Sequence, residues 1–292
     1  MLAIIGGSGV YDIDGLQNTR WVKVESSFGE PSDEVLIGEL SLGELNSQPV
    51  AFLPRHGRGH RLPPSGINFR ANIDALKRLG ATDIVSVSAV GSLREHLTPG
   101  MFVIVDQFID RTYAREKSFF GNGLVAHVSM AHPVCHRLGQ HLHAAAQQAG
   151  IPAARGGTYL VMEGPQFSSL AESELYRSWQ CDVIGMTNMP EAKLAREAEI
   201  CYATVAMVTD YDCWHPNHDD VTVDAIVKVL LANADKARAL VKSVAPLVQY
   251  DAGAGACGCR SALQHAIITA PEARDSAMIK KLSAVAGRML KK

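Results

Sequence analysis

A single α/β domain with a central twisted mixed β-sheet flanked by helices, followed by a C-terminal helical extension, is the architecture this 292-residue chain predicts. Three observations carry the prediction. Apolar runs of strand length alternate with helical stretches along the chain, the pattern of strands joined through helices. The composition, 47% hydrophobic and 20% charged, supplies apolar side chains for one large core. Several of the apolar runs also end in loops rich in glycine, serine, aspartate or arginine, which is where open α/β sheets hold ligands. The glycine- and alanine-rich stretch from Asp251 sets the boundary: residues 1–250 form the domain, and 251–292 a hinge with the extension.

In chain order, Leu2-Ala3-Ile4-Ile5 is a strand running into Gly6-Gly7-Ser8-Gly9. Such a turn lets backbone N–H groups approach an anion, with the Ser8 hydroxyl as a further donor; a plain turn is the alternative. Val35 to Leu40 and Pro49 to Leu53 are strands, and the second empties into Pro54-Arg55-His56-Gly57-Arg58-Gly59-His60-Arg61, the densest basic segment of the chain. In a near-neutral protein that charge on a rigid loop points to an oxyanion such as phosphate, or else to a solvated surface loop. Zinc is disfavoured there, because no helix aligns His56 with His60. Asn68 caps a helix to Leu79, with Phe69, Ile73, Leu76 and Leu79 as its stripe and Gly80 as its stop. Ile84 to Ser88 is a strand whose end, Ser88-Ala89-Val90-Gly91-Ser92, leaves room for a ligand against bare backbone. Met101 to Val105 is another.

Phe108 to His132 has little periodicity and reads as a long loop, the kind that serves as a lid or an interface. Pro133 to Ala149 is helical. Gly157 to Met162 is a strand leading to Glu163-Gly164-Pro165-Gln166-Phe167-Ser168, a turn that presents one aromatic face. A helix from Ala171 to Trp179 follows, then a strand from Asp182 to Met186 opening on Thr187 and Asn188, then a helix from Glu191 to Glu199 behind a first-turn Pro190. Ile200 to Val208 is the most apolar strand. Thr222 caps a long helix to about Val244, and Arg260 to Ile268 and Glu272 to Leu290 read as helices.

The chemistry concentrates after the most apolar strand, in Thr209-Asp210-Tyr211-Asp212-Cys213-Trp214. In extended chain alternate side chains face the same way, so Asp210 and Asp212 reach one pocket together. Two carboxylates there read a donor-rich ligand or handle protons; an Asp-rich turn with a capping side chain is the alternative.

Composition excludes several classes. A net charge of −2 provides no global field for nucleic acid, and no apolar run approaches the length of a membrane span. The N-terminal apolar run is too short for a signal peptide, so a soluble, cytoplasmic protein is expected. The missing third glycine and P-loop lysine disfavour a nicotinamide or nucleoside-triphosphate enzyme. Cys135, Cys181, Cys201 and Cys213 are scattered and read as core thiols. Cys257 and Cys259 form a Cys-Gly-Cys unit whose two ligands alone cannot close a zinc site; it is read as a reduced hinge, with a redox clip as the alternative.

Six motifs then point together. Ile4-Ile5-Gly6-Gly7-Ser8-Gly9, Arg55-His56-Gly57-Arg58, Gly91-Ser92-Leu93-Arg94-Glu95, Glu163-Gly164-Pro165-Gln166-Phe167-Ser168, Gly185-Met186-Thr187 and Thr209 to Trp214 occur in the order and spacing of the methylthioadenosine phosphorylases. The chain resembles that family, in the trimeric branch of the purine nucleoside phosphorylases, from its N-terminus to about residue 245. The resemblance implies a phosphate site of Ser8, Arg55, His56, Ser88, the Ala89 backbone and Thr187. It implies Phe167 on the purine face, Met186 under the ribose, and Asp210, Tyr211 and Asp212 at the base edge, with Asp210 as the catalytic acid. Ser168, Val223 and Ile226 fall where the family tunes substrate choice, and His127 where a neighbouring subunit closes the pocket around the 5′ group. Val223 and Ile226, one helical turn apart, are equally ordinary helix core by spacing. Ser8 and Ser88 stand where other members have threonine, and Gly185 where some have asparagine.

The reaction the resemblance implies is phosphorolysis of S-methyl-5′-thioadenosine to adenine and 5-methylthioribose 1-phosphate, with inorganic phosphate as co-substrate and neither metal nor organic cofactor. A homotrimer, or a dimer of trimers, is the implied assembly. The readings kept beside it are another purine nucleoside as substrate and a non-catalytic nucleoside sensor.

Overall fold

The computed structural model describes the chain except residues 8, 11, 44–45, 217–222, 251–256 and 291–292, and the side chains of 223–228, 230, 249 and 250. Strand β1 (Leu2–Gly6) lies between β4 (Ser47–Pro54) and β5 (Asp83–Ser92), parallel to both. Leu2 to Ile5 are at most 1% exposed, as a central strand covered on both faces must be. Beyond β4, β3 (Val35–Ser41) and β2 (Leu16–Val22) complete one edge in antiparallel pairing. β2 has no apolar face to betray it in the sequence, and most of its residues are exposed.

β5 is the hub. It pairs along its length with β11 (Cys201–Asp210), in parallel, and its last residues Gly91 and Ser92 pair antiparallel with β10 (Val183–Gly185). From β10 the sheet continues through β9 (Thr158–Val161) to β7 (Gln107–Asp110), and from β11 through β6 (Phe102–Val105) to β8 (Ala153–Arg155). The mixed sheet of eleven strands thus divides at the carboxyl end of β5. Helices cover both faces. α1 (Phe69–Arg78) and α4 (Asn188–Glu197) pack into one core cluster through Ile73, Leu76 and Leu194, and α2 (His136–Gln148) and α5 (Val223–Tyr250) into the other through Leu138, Leu142, Leu240 and Val244. α1 begins as its sequence dictates, with Asn68 Oδ1 accepting from the Ala71 N–H at 3.1 Å. α3 (Leu170–Ser178) opens with a capping box of Ser169 and Glu172.

Two expectations are corrected. The long loop after Phe108 begins inside β7, and the C-terminal stretch is not two long helices. It forms a short 3-10 turn at 258–261, then α6 (Ser276–Lys281) and α7 (Gly287–Leu290). The cause is tertiary. Ala266 O and the Ile268 N–H bond the backbone of His127 and Val125, which holds this segment extended, and Asp275 caps a fresh helix by accepting from Met278 N–H at 2.7 Å. Leu263, Leu282, Val285 and Ala286, at most 2% exposed, enter the same core cluster as Ala3 and Ile73. Residues 257–290 are therefore packed onto the domain, tied further by Arg288, which donates to both oxygens of Glu199 at 2.9 and 2.7 Å.

Candidate active site

The basic segment folds differently from its surface reading. Arg55 is 2% exposed and turned inward. Its Nε and Nη2 donate to Glu191 at 2.9 and 3.2 Å, its Nη1 to Val87 O at 2.9 Å, and its Nη2 also to Ser86 Oγ at 2.6 Å. A guanidinium out of water needs such a counter-charge. Glu191 also accepts from Ser86 Oγ at 2.7 Å and from the Tyr202 hydroxyl at 2.8 Å. Arg58 donates to Asp33 and Glu34, and Arg61 to Ser32 O. The charge expected to face an oxyanion is thus largely neutralised by the protein itself. His56 contributes none: its Nδ1 lies 2.9 Å from Leu62 O, and burial, with Arg55 close by, pushes its pKa down to about 4.

What faces the space above this network is neutral. Ser88 Oγ donates to Asn188 Oδ1 at 3.1 Å, and Asn188 Nδ2 is held by Thr204 and Tyr202 at 2.6 and 2.5 Å. Thr187 Oγ1 and the Tyr159 hydroxyl are buried with no hydrogen-bond partner among the described residues. The Tyr159 hydroxyl, close to Ser88 and Thr187, fills the place of a side chain at residue 185: a Cβ on Gly185 would lie 2.1 Å from it. Buried hydroxyls left unpaired are costly, and a bound ligand would satisfy them.

At the other end stand the carboxylates, brought together by a turn rather than by strand alternation. Ser88 pairs with Ala206, Ala89 with Met207 and Val90 with Val208; the register then slips, so that Asp210 lies opposite Gly91. Such a bulge re-aims a side chain. The Thr209 hydroxyl donates to Asp210 Oδ2 at 2.6 Å, and the Asp212 N–H to Asp210 Oδ1 at 2.8 Å, with Asp212 in the left-handed region at φ +54°. Burial raises the pKa of Asp210. Burial first, and then the neighbouring Asp210 charge, push Asp212 up to about 6, while the Ser173 hydroxyl tempers the rise without a well-formed hydrogen bond. Asp212 Oδ2 is buried and unpartnered among the described residues. Gly91 makes the arrangement possible, since a Cβ there would meet Asp210 Oδ1 at 2.9 Å.

The wall between the two ends comes from the loops. Met186 is half-buried against the bare backbone of Gly164, where a Cβ would sit 2.5 Å from its sulfur. Phe167 is 43% exposed, and Ser168 Oγ lies 3.5 Å from Met162 Sδ. Arg115, from the long loop and invisible as a site residue in the sequence, ties the wall down: Nη1 donates to Met186 O and Met189 O at 2.6 and 2.7 Å, and Nη2 to Glu163 O at 2.7 Å. Tyr211 turns away from the carboxylates, into a cluster with Leu93 and Trp214, and its hydroxyl donates to Glu95 O. Its side chain thus packs beside Leu93 and Trp214 rather than alongside the two carboxylates. His127 is exposed, and among the described residues no hydrogen bond joins it to Asp210 or Asp212. Ser8 and the side chains of Val223 and Ile226 lie outside the described residues.

From Ser88 to Gly91 is three residues of strand, about 10 Å at ~3.3 Å per residue. Hydroxyl donors and backbone at one end and two elevated carboxylates at the other suit a ligand that is anionic at one side and rich in donors or basic nitrogen at the other.

Comparison with known proteins adds a family. The model of the phosphorylase superfamily matches residues 1–246. The S-methyl-5′-thioadenosine phosphorylase of Rhodospirillum rubrum is 64% identical over 290 residues, covering 99% of this chain and 97% of that protein. That of Geobacter sulfurreducens is 52% identical over 288 residues, covering 98% of each. Among solved structures, a methylthioadenosine phosphorylase from an antarctic soil metagenomic library superimposes with a TM-score of 0.90 at 50% identity, over 97% of this chain and 98% of that one. The methylthioadenosine phosphorylase of Schistosoma mansoni, in complex with adenine, superimposes with a TM-score of 0.81 at 35% identity, over 90% of this chain and 96% of that one.

Proposed function

Because this chain belongs to the phosphorylase superfamily, we propose that it is a pentosyltransferase that cleaves S-methyl-5′-thioadenosine with inorganic phosphate, yielding adenine and 5-methylthioribose 1-phosphate in purine and methionine salvage. The observation that carries this reading is the β5–β11 register, which sets Ser88 and Ala89 about 10 Å of strand from the Asp210–Asp212 pair. Phosphate sits at Ser8, the His56 and Ala89 backbones, Ser88 and Thr187, with the Tyr159 hydroxyl, unpartnered among the described residues, beside the last two as a further donor. Arg55 acts from beneath, as the buried ion-pair partner of Glu191 that holds Ser86 and the Val87 carbonyl in place.

Positive charge develops on the ribosyl ring as the bond from C1′ to N9 breaks, and negative charge flows into the leaving purine. Bound phosphate stabilises the first, and a proton from Asp210 at N7 the second. Burial raises the pKa of both carboxyls, which makes holding a proton between them less costly. Asp212, mostly ionised above its pKa of about 6, accepts from the exocyclic amine. A 6-oxopurine would set carbonyl against carboxylate there, at roughly 1–3 kcal/mol for each unpaired buried acceptor. Met186 underlies the ribose, Phe167 covers the purine, and Ser168, Val223 and Ile226 adjoin the 5′ group. No organic cofactor or metal takes part in this chemistry.

The working unit is a homotrimer in the cytoplasm, with His127 of each subunit completing a neighbour's pocket; its exposure on a segment bonded to Ala266 supports this. Among the described residues no helix is long and apolar enough to cross a membrane. The decisive experiment is adenine release from methylthioadenosine with and without inorganic phosphate. Release that requires phosphate is expected, and substrate binding without turnover would make the protein a sensor instead.

A further inference from the structure

The fold gathers four of the six cysteines at the end of the sheet remote from the candidate active site. Cys135 precedes α2, Cys201 opens β11, and Cys257 and Cys259 lie on the C-terminal extension. Their four Sγ atoms all lie within 4.8 Å of one another. Cys135, Cys201 and Cys259 are at most 5% exposed and Cys257 is half-buried, and all four are free thiols. Four sulfurs around one zinc at about 2.3 Å stand about 3.8 Å apart, so the cluster needs only a small contraction to close on an ion. We propose that Cys135, Cys201, Cys257 and Cys259 form a closed tetrathiolate zinc site that staples the C-terminal extension to the core.

The surroundings fit. Four thiolates on one divalent cation leave two negative charges, and Arg137 and Arg196 stand close enough to Cys201, Cys257 and Cys259 to offset them. Zinc entry releases the four thiol protons to water as the thiolates form. The role is structural. β11 runs ten residues from Cys201 to Asp210, about 30 Å at ~3.3 Å per residue, and a site with all four positions filled by protein keeps none for substrate. The ligands also join the C-terminal extension to β11 and to the start of α2, beside the hydrogen bonds and the Arg288–Glu199 ion pair that already tie it down.

The test uses the full chain, purified without reductant or chelator, with metals measured by mass spectrometry. About one zinc per chain is expected, released in step with mercurial titration of the thiols. Cobalt(II) in its place should give the charge-transfer and d–d bands of a tetrahedral thiolate site. Cys257→Ser, at the half-buried ligand, should lose the metal and shorten the half-life at elevated temperature at least tenfold while leaving turnover at room temperature unchanged. Cys181→Ser, outside the cluster, should retain the metal. Metal-free protein with four titratable thiols, or with disulfides linking these cysteines on mass mapping, would overturn the proposal.

Discussion

At the residue scale, the proposed function turns on two aspartates in different surroundings. Asp210 accepts from Thr209 and from the Asp212 N–H, whereas Asp212 has a buried oxygen with no partner among the described residues and a pKa near 6. Asp210→Asn should lower kcat about a hundredfold or more with little change in KM, as measured by phosphate-dependent adenine release, because only the transition state needs its proton. Asp212 also couples stability to pH. A carboxyl moved from its ordinary 3.8 to about 6 contributes stability that is complete below pH 4 and lost as pH rises through 6, about 3 kcal/mol at most. Asp212→Asn should therefore remove part of the stability difference between pH 5 and pH 8, measured by denaturant unfolding at fixed protein concentration. A difference that matches the wild type would show that Asp212 is already ionised inside the fold at pH 5, with no raised pKa. Tyr159 offers a third test. Its hydroxyl has no partner to lose among the described residues, so Tyr159→Phe should fold normally yet raise the KM for phosphate roughly tenfold, the worth of one hydrogen bond to a charged group.

At the scale of elements, β5 does most of the positioning. Its start is the central parallel ladder, its middle supplies Ser88 and Ala89, and its end is shared between the bulged β11 and β10. Glycine at 91 is what lets the bulge bring Asp210 in, so Gly91→Ala should displace the carboxylate and cut kcat at least tenfold while circular dichroism stays unchanged. An alanine variant with full activity would mean that Asp210 acts from another position. The long loop matters in the same way: Arg115 holds the turns at Glu163 and Met186 through three carbonyls, so a stretch without periodicity still positions the wall of the site.

At the scale of the molecule, the C-terminal segment is part of the core rather than an appendage. Leu263, Leu282, Val285 and Ala286 are almost fully buried, and burying each large apolar side chain contributes about 1.5–3 kcal/mol. A chain truncated after residue 250 should lose these side chains from the core cluster that holds Ala3 and Ile73, and leave Glu199 without Arg288. It should be insoluble, or lose several kcal/mol of unfolding free energy in a denaturant titration. A truncated protein as stable as the full chain would show that the burial of these side chains contributes nothing to the fold.

By itself the sequence determined the alternation of strands and helices, the cap at Asn68, the glycine-serine run at 88–92 and the aspartate pair, because periodicity, capping and turn chemistry are local properties. Even its misplaced C-terminal helices were wrong for a local reason, since an alanine-rich stretch carries no record of the backbone of His127 bonded across it. Only the tertiary structure decided the rest. The partner of Arg55 lies 136 residues away at Glu191, so a loop that reads as a charged anion trap is a neutralised strut. Asp210 and Asp212 meet through a bulge and a left-handed turn, which depend on the register with β5. Four cysteines that look unrelated along the chain converge at one point because two ends of the sheet's covering meet there. In each case the deciding energy, the burial of a charge or of a thiol, comes from a neighbour that the chain order does not name.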